Sequence, residues 1–326
     1  MSSLKIASIW NFNFTDSIFF HIFKLLSKKK VEIVEPSKSD ILFIGPFDST
    51  TVKRRILKYF LKKTNRINLE NYFHNIDLYS VRNYKPIRIF LSLENIRSSN
   101  PFVPKTDFSI CSSLGIVDEN HFRFPMWKEL IDWSHEGIIR SYDNLGNSSR
   151  YGRYFNLEEL TKPQGEAFLE KPQSFCFITS HLSEPKRSLY LKTKEHFVVD
   201  GFGAAFDKTI LDHNSSNFKM KDVMKNYAFS LCPENALYPG FYGDRLLNAF
   251  ASKCLPVTWA DQNINIDFNK NAFVNLLDYV KDDFNSIMNS LKELSFLKKF
   301  TSEPLLLSEP NLDKEKNFVE KILKNL

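Results

Sequence analysis

Four short runs, DILFIGPF, IRIFLSLEN, SFCFITS and LPVTWA, are apolar at nearly every position. A strand with one wet face alternates with period two, so runs of this kind need cover on both sides, as in a parallel sheet flanked by helices. The segments between them supply that cover. Ile18, Phe19, Ile22, Phe23 and Leu26 recur at helical spacing behind a cap at Thr15 or Asp16. In VKRRILKYFLKK, Ile56, Leu57, Phe60 and Leu61 share one face and the basic residues occupy the other.

The alternation predicts strands at KIASIW, VEIVE, DILFIGPF, IRIFLSLEN and FSICSSLGI in the first half. A segment from about Ile139 to Gln173, rich in Gly, Asn, Ser and Pro, interrupts the pattern and marks a domain boundary. The pattern then resumes with strand SFCFITS, helix EPKRSLYLKTK, strand HFVVDGFG, helix KMKDVMKNY, strand YAFSLCPE, helix DRLLNAFASK and strand LPVTWA. Two further helices are expected over 282–294 and 313–323. A chain of 326 residues suits two domains of about 150 each. The expectation is an α/β protein of two Rossmann-like doubly wound domains facing a central cleft, with residues 1–150, residues 151–300 and a helical tail at 301–326. Ligands in such sheets sit beyond the carboxyl ends of the strands.

The net charge of +6 is modest, with Lys and Arg clustered at Lys28 to Lys30, Lys53 to Lys63 and the C-terminal end. These clusters read either as solvated helix faces or as contacts for an anion; the aromatic-basic alternation of a nucleic-acid binder is missing. Cys111, Cys176, Cys232 and Cys254 lie inside apolar runs without CxxC or metal-ligand spacing, which predicts buried thiols in a reducing compartment. No run approaches the roughly 18 apolar residues of a spanning helix, and the N-terminus lacks a signal-peptide pattern. A cytoplasmic protein is expected, with a peripheral contact to the inner face of a membrane open to the basic amphipathic end DKEKNFVEKILKNL.

Three places could carry chemistry. Glu94 closes the apolar strand IRIFLSLEN, and a carboxylate flanked by Phe90, Leu91 and Leu93 reads as a general base or as a loop cap. Arg187 stands in the first turn of a helix that follows a strand, where a pyrophosphate would gain from the free N–H groups, the helix dipole and a guanidinium. In YAFSLCPENALYPGFYGDRLLNAFASKCLPVTW, a Pro239-Gly240 turn and Gly243 precede Asp244 and Arg245 at the next helix start. Asp244 is placed to accept from a sugar hydroxyl, and Arg245 with Arg187 describes either a diphosphate grip or two solvated arginines. Asp-x-Asp, HExxH, GxxxxGK[ST] and GxSxG are all missing, which argues against a metal-chelating transferase, a zinc protease, a P-loop enzyme and a serine hydrolase.

The same stretch, continued through ADQNINIDFNKNAFVNLLDY, resembles the signature segment of the α-1,3/4-fucosyltransferases, glycosyltransferase family 10. That segment typically reads YKFNLCFEN, GYxTEK, a helix, PIYWG and FNxxxFIN. Upstream, DILFIGPF, IFLSLENIR, FSICSSLGIVDENHFRFPMW and FCFITSHLSEPKRSLY resemble family blocks in the same order, so the resemblance covers about Asp40 to Tyr279. It implies a GT-B fold with an N-terminal acceptor-binding domain, a C-terminal nucleotide-sugar domain, and inverting transfer of L-fucose from GDP-L-fucose without a metal or other cofactor. The acceptor implied is a GlcNAc-containing glycan such as a surface polysaccharide or lipopolysaccharide O-antigen. By the resemblance Glu94 is the general base, Asp244 joins it in catalysis, and Arg187, Asn235, Phe241, Gly243, Asp244 and Arg245 bind the donor. Where the family has TEK this chain has Gly243-Asp244-Arg245, which keeps the charge signs.

Overall fold

A computed structural model of the chain describes residues 3–9, 14–46, 86–96, 105–140, 154–206, 217–279 and 284–326. The helix expected in VKRRILKYFLKK lies outside them. The chain divides into two compact units: Met1–Pro125 with Trp133–Arg140 and Asn311–Leu326, and Met126–Asp132 with Ser141–Pro310.

The first unit holds β1 (Leu4–Ile9), α1 (Ile18–Leu26), β2 (Val31–Ile33), β3 (Ile41–Ile44), β4 (Ile87–Ser92), β5 (Phe108–Cys111) and β6 (His121–Arg123). All pairings are parallel, in the order β2-β1-β3-β4-β5-β6. Every residue of β3 and β5 is buried, as their lack of alternation requires. Ser17, one residue beyond the expected caps, begins α1; its side chain accepts from the Phe19 amide because Phe14–Asp16 form a separate 3-10 turn. Phe19, on the buried face of α1, meets Phe124 edge-on at 4.9 Å.

The second unit repeats the design with β7 (Phe175–Ile178), α2 (Lys186–Lys194), β8 (Val199–Phe202), α3 (Asn217–Met224), β9 (Phe229–Leu231), α4 (Arg245–Ala251), β10 (Leu255–Thr258), β11 (Val274–Asn275) and α5 (Phe284–Ser290). Its parallel sheet runs β11-β10-β9-β7-β8. Phe175, Phe177, Phe229, Leu231 and Val257 join Ile287 and Met288 of α5 in its core. The strand order reverses between β1 and β3 in the first sheet and between β7 and β9 in the second, the kind of position where doubly wound sheets open a ligand crevice. These two parallel α/β sheets are the components of a GT-B fold.

The terminal helix α6 (Asp313–Leu323), expected as a separate tail, belongs to the first unit and packs on α1. Its Phe318 ring stacks on Phe122 at 5.0 Å and meets Phe108 edge-on at 5.9 Å. Lys316 pairs with Glu136 at 2.6 Å. The apolar stripe Phe318, Val319 and Ile322 is buried in protein, so only the polar face is left for any surface. Among the described residues no helix is long and apolar enough to cross a membrane. The thiols of Cys111, Cys176, Cys232 and Cys254 are free and buried.

Candidate active site

Beyond the carboxyl ends of β7, β8 and β9 lies a cavity of about 230 Å³. Thr179 and Ser180 line it past β7, Gly203 past β8, Cys232 past β9, Met220 and Met224 on α3, and Asp244 and Arg245 at the start of α4. It therefore occupies the switch point of the second sheet. Gly203 is required by geometry: its φ is +91°, and a Cβ there would meet the Thr179 carbonyl oxygen at 2.6 Å.

Arg245 on the cavity wall is held by a side chain to which the sequence reading assigned no role. Glu234, just past β9, is 2% exposed. One of its carboxylate oxygens accepts the Gly243 amide at 2.8 Å, and the other faces Arg245 Nη1 at 3.5 Å. Burial pushes its carboxyl above the usual carboxylate range, opposed by the Arg245 charge and by the Gly243 N–H. A Cβ on Gly243 would come within 3.4 Å of this carboxylate, so the close approach expected at Gly243 is made first to Glu234. One buried acid thus pins both the turn and the guanidinium.

Asp244 is braced in a different way. The Asn248 amide, one helical turn on, donates to the Asp244 carbonyl at 3.0 Å and to its carboxylate at 3.2 Å. The preceding turn is closed by Gly240, whose φ of +94° suits the Pro239-Gly240 pair. Its amide donates to the Tyr242 hydroxyl at 3.2 Å. Phe241 is buried with its ring edge-on to Tyr238, while Asn235 is exposed.

At the start of α2 the neighbours Lys186 and Arg187 differ in exposure. Arg187 is exposed. Lys186 is 4% exposed and donates to Thr179 Oγ1 at 3.3 Å. Burial lowers its ammonium to about 8, Arg245 acts in the same direction and Glu234 opposes both. The helical period held the signal: Lys186, Leu189, Tyr190 and Thr193 fall on one stripe, and Lys186 and Thr193 at its ends are fully buried. His196, next to this helix, contacts the Asn285 amide oxygen at 2.8 Å in a structural role.

Glu94 belongs to the first unit. It is half-buried immediately after β4, where its amide donates to Ser92 Oγ at 3.2 Å and its carbonyl accepts from the same hydroxyl at 3.2 Å. Gly243, Asp244 and Arg245 are gathered around one cavity and its wall, whereas Glu94 stands on the other sheet.

Residues 146–302 match the model of the C-terminal domain of glycosyltransferase family 10 (fucosyltransferase). An α-(1,3)-fucosyltransferase of Helicobacter pylori is 23% identical over 216 residues, 60% of this chain and 42% of the relative. A putative fucosyltransferase of Acanthamoeba polyphaga mimivirus is 21% identical over 176 residues, 49% of this chain and 29% of the relative. The chain thus spans less than half the length of either curated relative. Among solved structures, an α1,3-fucosyltransferase matches with a TM-score of 0.64 at 19% identity, covering 99% of this chain and 90% of that one. A crystal structure of an α1,3-fucosyltransferase with GDP-fucose matches with a TM-score of 0.64 at 18% identity, covering 99% of this chain and 91% of that one.

Proposed function

Because residues 146–302 match the C-terminal domain of glycosyltransferase family 10, the fucosyltransferases, we propose that the chain transfers L-fucose from GDP-fucose to a hydroxyl of a glycan. The observation that carries this reading is the switch-point cavity with Arg245 on its wall, held there by a carboxylate that is itself buried. A guanidinium fixed in this way needs no reorganisation when negative charge grows on the leaving diphosphate. The solved relative that binds GDP-fucose supports the choice of donor.

In the reaction the acceptor hydroxyl attacks the anomeric carbon on the face opposite GDP. Glu94 takes its proton, the bond to the diphosphate breaks, and the configuration inverts. Arg245 receives the charge of the leaving group and Asp244 faces the sugar, so neutralisation comes from side chains and no metal or other cofactor is called on. The acceptor position is O3 of a GlcNAc unit in a surface polysaccharide or lipopolysaccharide O-antigen. The enzyme works in the cytoplasm, and any peripheral membrane contact is made through the polar face of α6.

A panel of GDP- and UDP-sugars offered with GlcNAc-terminated glycans, with the product linkage read by NMR, tests this directly. Transfer from GDP-fucose alone is expected. Turnover with another sugar and none with GDP-fucose would reject the donor. Arg245→Ala should weaken GDP about 100-fold by calorimetry, the cost of truncating a desolvated charged contact.

A further inference from the structure

Lys186 is a buried cation whose charge is not matched. Its ammonium has three donors, yet its one hydrogen bond runs to the neutral Thr179 hydroxyl at 3.3 Å, and among the described residues it has no ion-pair partner. The carboxylate beside it is already engaged, since Glu234 holds Arg245 at 3.5 Å and the Gly243 amide at 2.8 Å. Two cations therefore face one acid. Thr179, the partner of Lys186 among the described residues, lines the cavity together with Arg245. An isolated charge is costly to bury, and an anion in the cavity would supply the missing counter-charge.

We propose that Lys186, rather than Arg187, is the second cation that meets the donor diphosphate beside Arg245, and that donor binding is accompanied by proton uptake at this lysine. The proposal rests on the nucleotide-sugar reading above. Burial and the charge of Arg245 hold the ammonium down to about 8, against the pull of Glu234. These are the charged groups that face it; Glu234 in turn faces Asp244, and the Cys232 thiol is pushed up by burial and Glu234. Just before its helix, Glu184 accepts from the Ser188 hydroxyl at 2.6 Å. A diphosphate beside Lys186 favours the ammonium and draws a proton from solvent. GDP itself contributes little to the proton count at pH 8, because a terminal phosphate ionises near about 6.

The test is calorimetry of GDP and of inorganic pyrophosphate on the full chain at pH 8, in two buffers of different ionisation enthalpy. The variants are Lys186→Met, Lys186→Arg and Arg187→Ala. Wild type should take up about 0.5 proton per GDP, as expected for a group half-protonated before binding. Lys186→Met should bind both ligands about 10-fold or more weakly without uptake. Lys186→Arg should keep most of the affinity and lose the uptake, since a guanidinium does not titrate. Arg187→Ala should match wild type in both measures. Wild-type binding without proton uptake, or weakening in Arg187→Ala but not in Lys186→Met, overturns the proposal. Should Lys186→Met fail to fold by thermal melt, the wild-type proton count and Arg187→Ala decide alone. Binding of pyrophosphate without GDP rejects the guanosine donor and leaves the lysine to be judged by the same variants; binding of neither rejects both.

Discussion

Glu94 and Glu234 each follow an apolar parallel strand, Glu94 after β4 and Glu234 after β9, yet they sit in opposite physical settings. Glu94 is half-buried on a turn organised by the Ser92 hydroxyl. Glu234 is 2% exposed, and its two oxygens are directed at the Gly243 amide and at Arg245. A buried carboxylate committed to a guanidinium and to a buried amide is a brace, because removing it leaves both without their partner. One at a half-exposed strand end keeps contact with water and suits proton exchange with a substrate. The same local signal, an acid at the end of a strand, therefore yields a structural part in one sheet and a candidate base in the other.

The largest effect that would break this comparison is on stability. Glu234→Ala should cost about 3–4 kcal/mol in urea unfolding, because the buried Gly243 amide loses its acceptor and the half-buried Arg245 loses its partner. Glu234→Gln should cost less, since its amide oxygen still accepts from Gly243. An alanine variant as stable as wild type would remove the brace.

Next in size is a pH effect from Lys186. Its free value is 10.5 and its folded value is about 8, so the unfolded chain binds more protons between these limits and stability rises as pH increases through them. The full gain is about 3 kcal/mol. Denaturant titrations from pH 7 to 10 should show this rise in wild type and not in Lys186→Met. Parallel curves for the two proteins would refute the depressed lysine.

Glu94→Gln should lower transfer about 100-fold, the lower range for loss of a general base, with GDP affinity unchanged. Near-normal turnover would return Glu94 to the status of a loop residue. The smallest effect is expected in the first unit, where Ser17→Ala removes the α1 cap hydrogen bond and should cost about 1 kcal/mol. A change well under that figure would show that the tertiary contacts of α1 hold its first turn without the cap.

Much of the fold was legible because its strongest signals are local. The uninterrupted apolar runs became β3, β4, β7 and β10, and the helix expected over 313–323 is α6. β6, with three residues, and β11, with two, went unread because so few residues display no period. The cap moved from Thr15 or Asp16 to Ser17 because Phe14–Asp16 take a 3-10 turn. In the site, Asp244 and Arg245 were visible from the turn and helix start that present them. Glu234 was visible only as a residue past a strand; that it holds Gly243, nine positions on, was not.

The sequence by itself determined the α/β alternation, the parallel character of the sheets, and the family blocks that carry the proposed chemistry, because each depends on neighbours a few residues apart. Helical spacing also contained, unused, the choice of Lys186 over Arg187 as the inward side chain. Only the tertiary structure decided how the charges are matched. Glu234, Arg245 and Lys186 come from three separate segments, and which cation takes the one buried acid depends on distances that no local period encodes. The same holds for α6, whose apolar stripe could be read from its spacing, while the surface that covers it, built from α1, Phe108 and Phe122, exists only after the first sheet has formed.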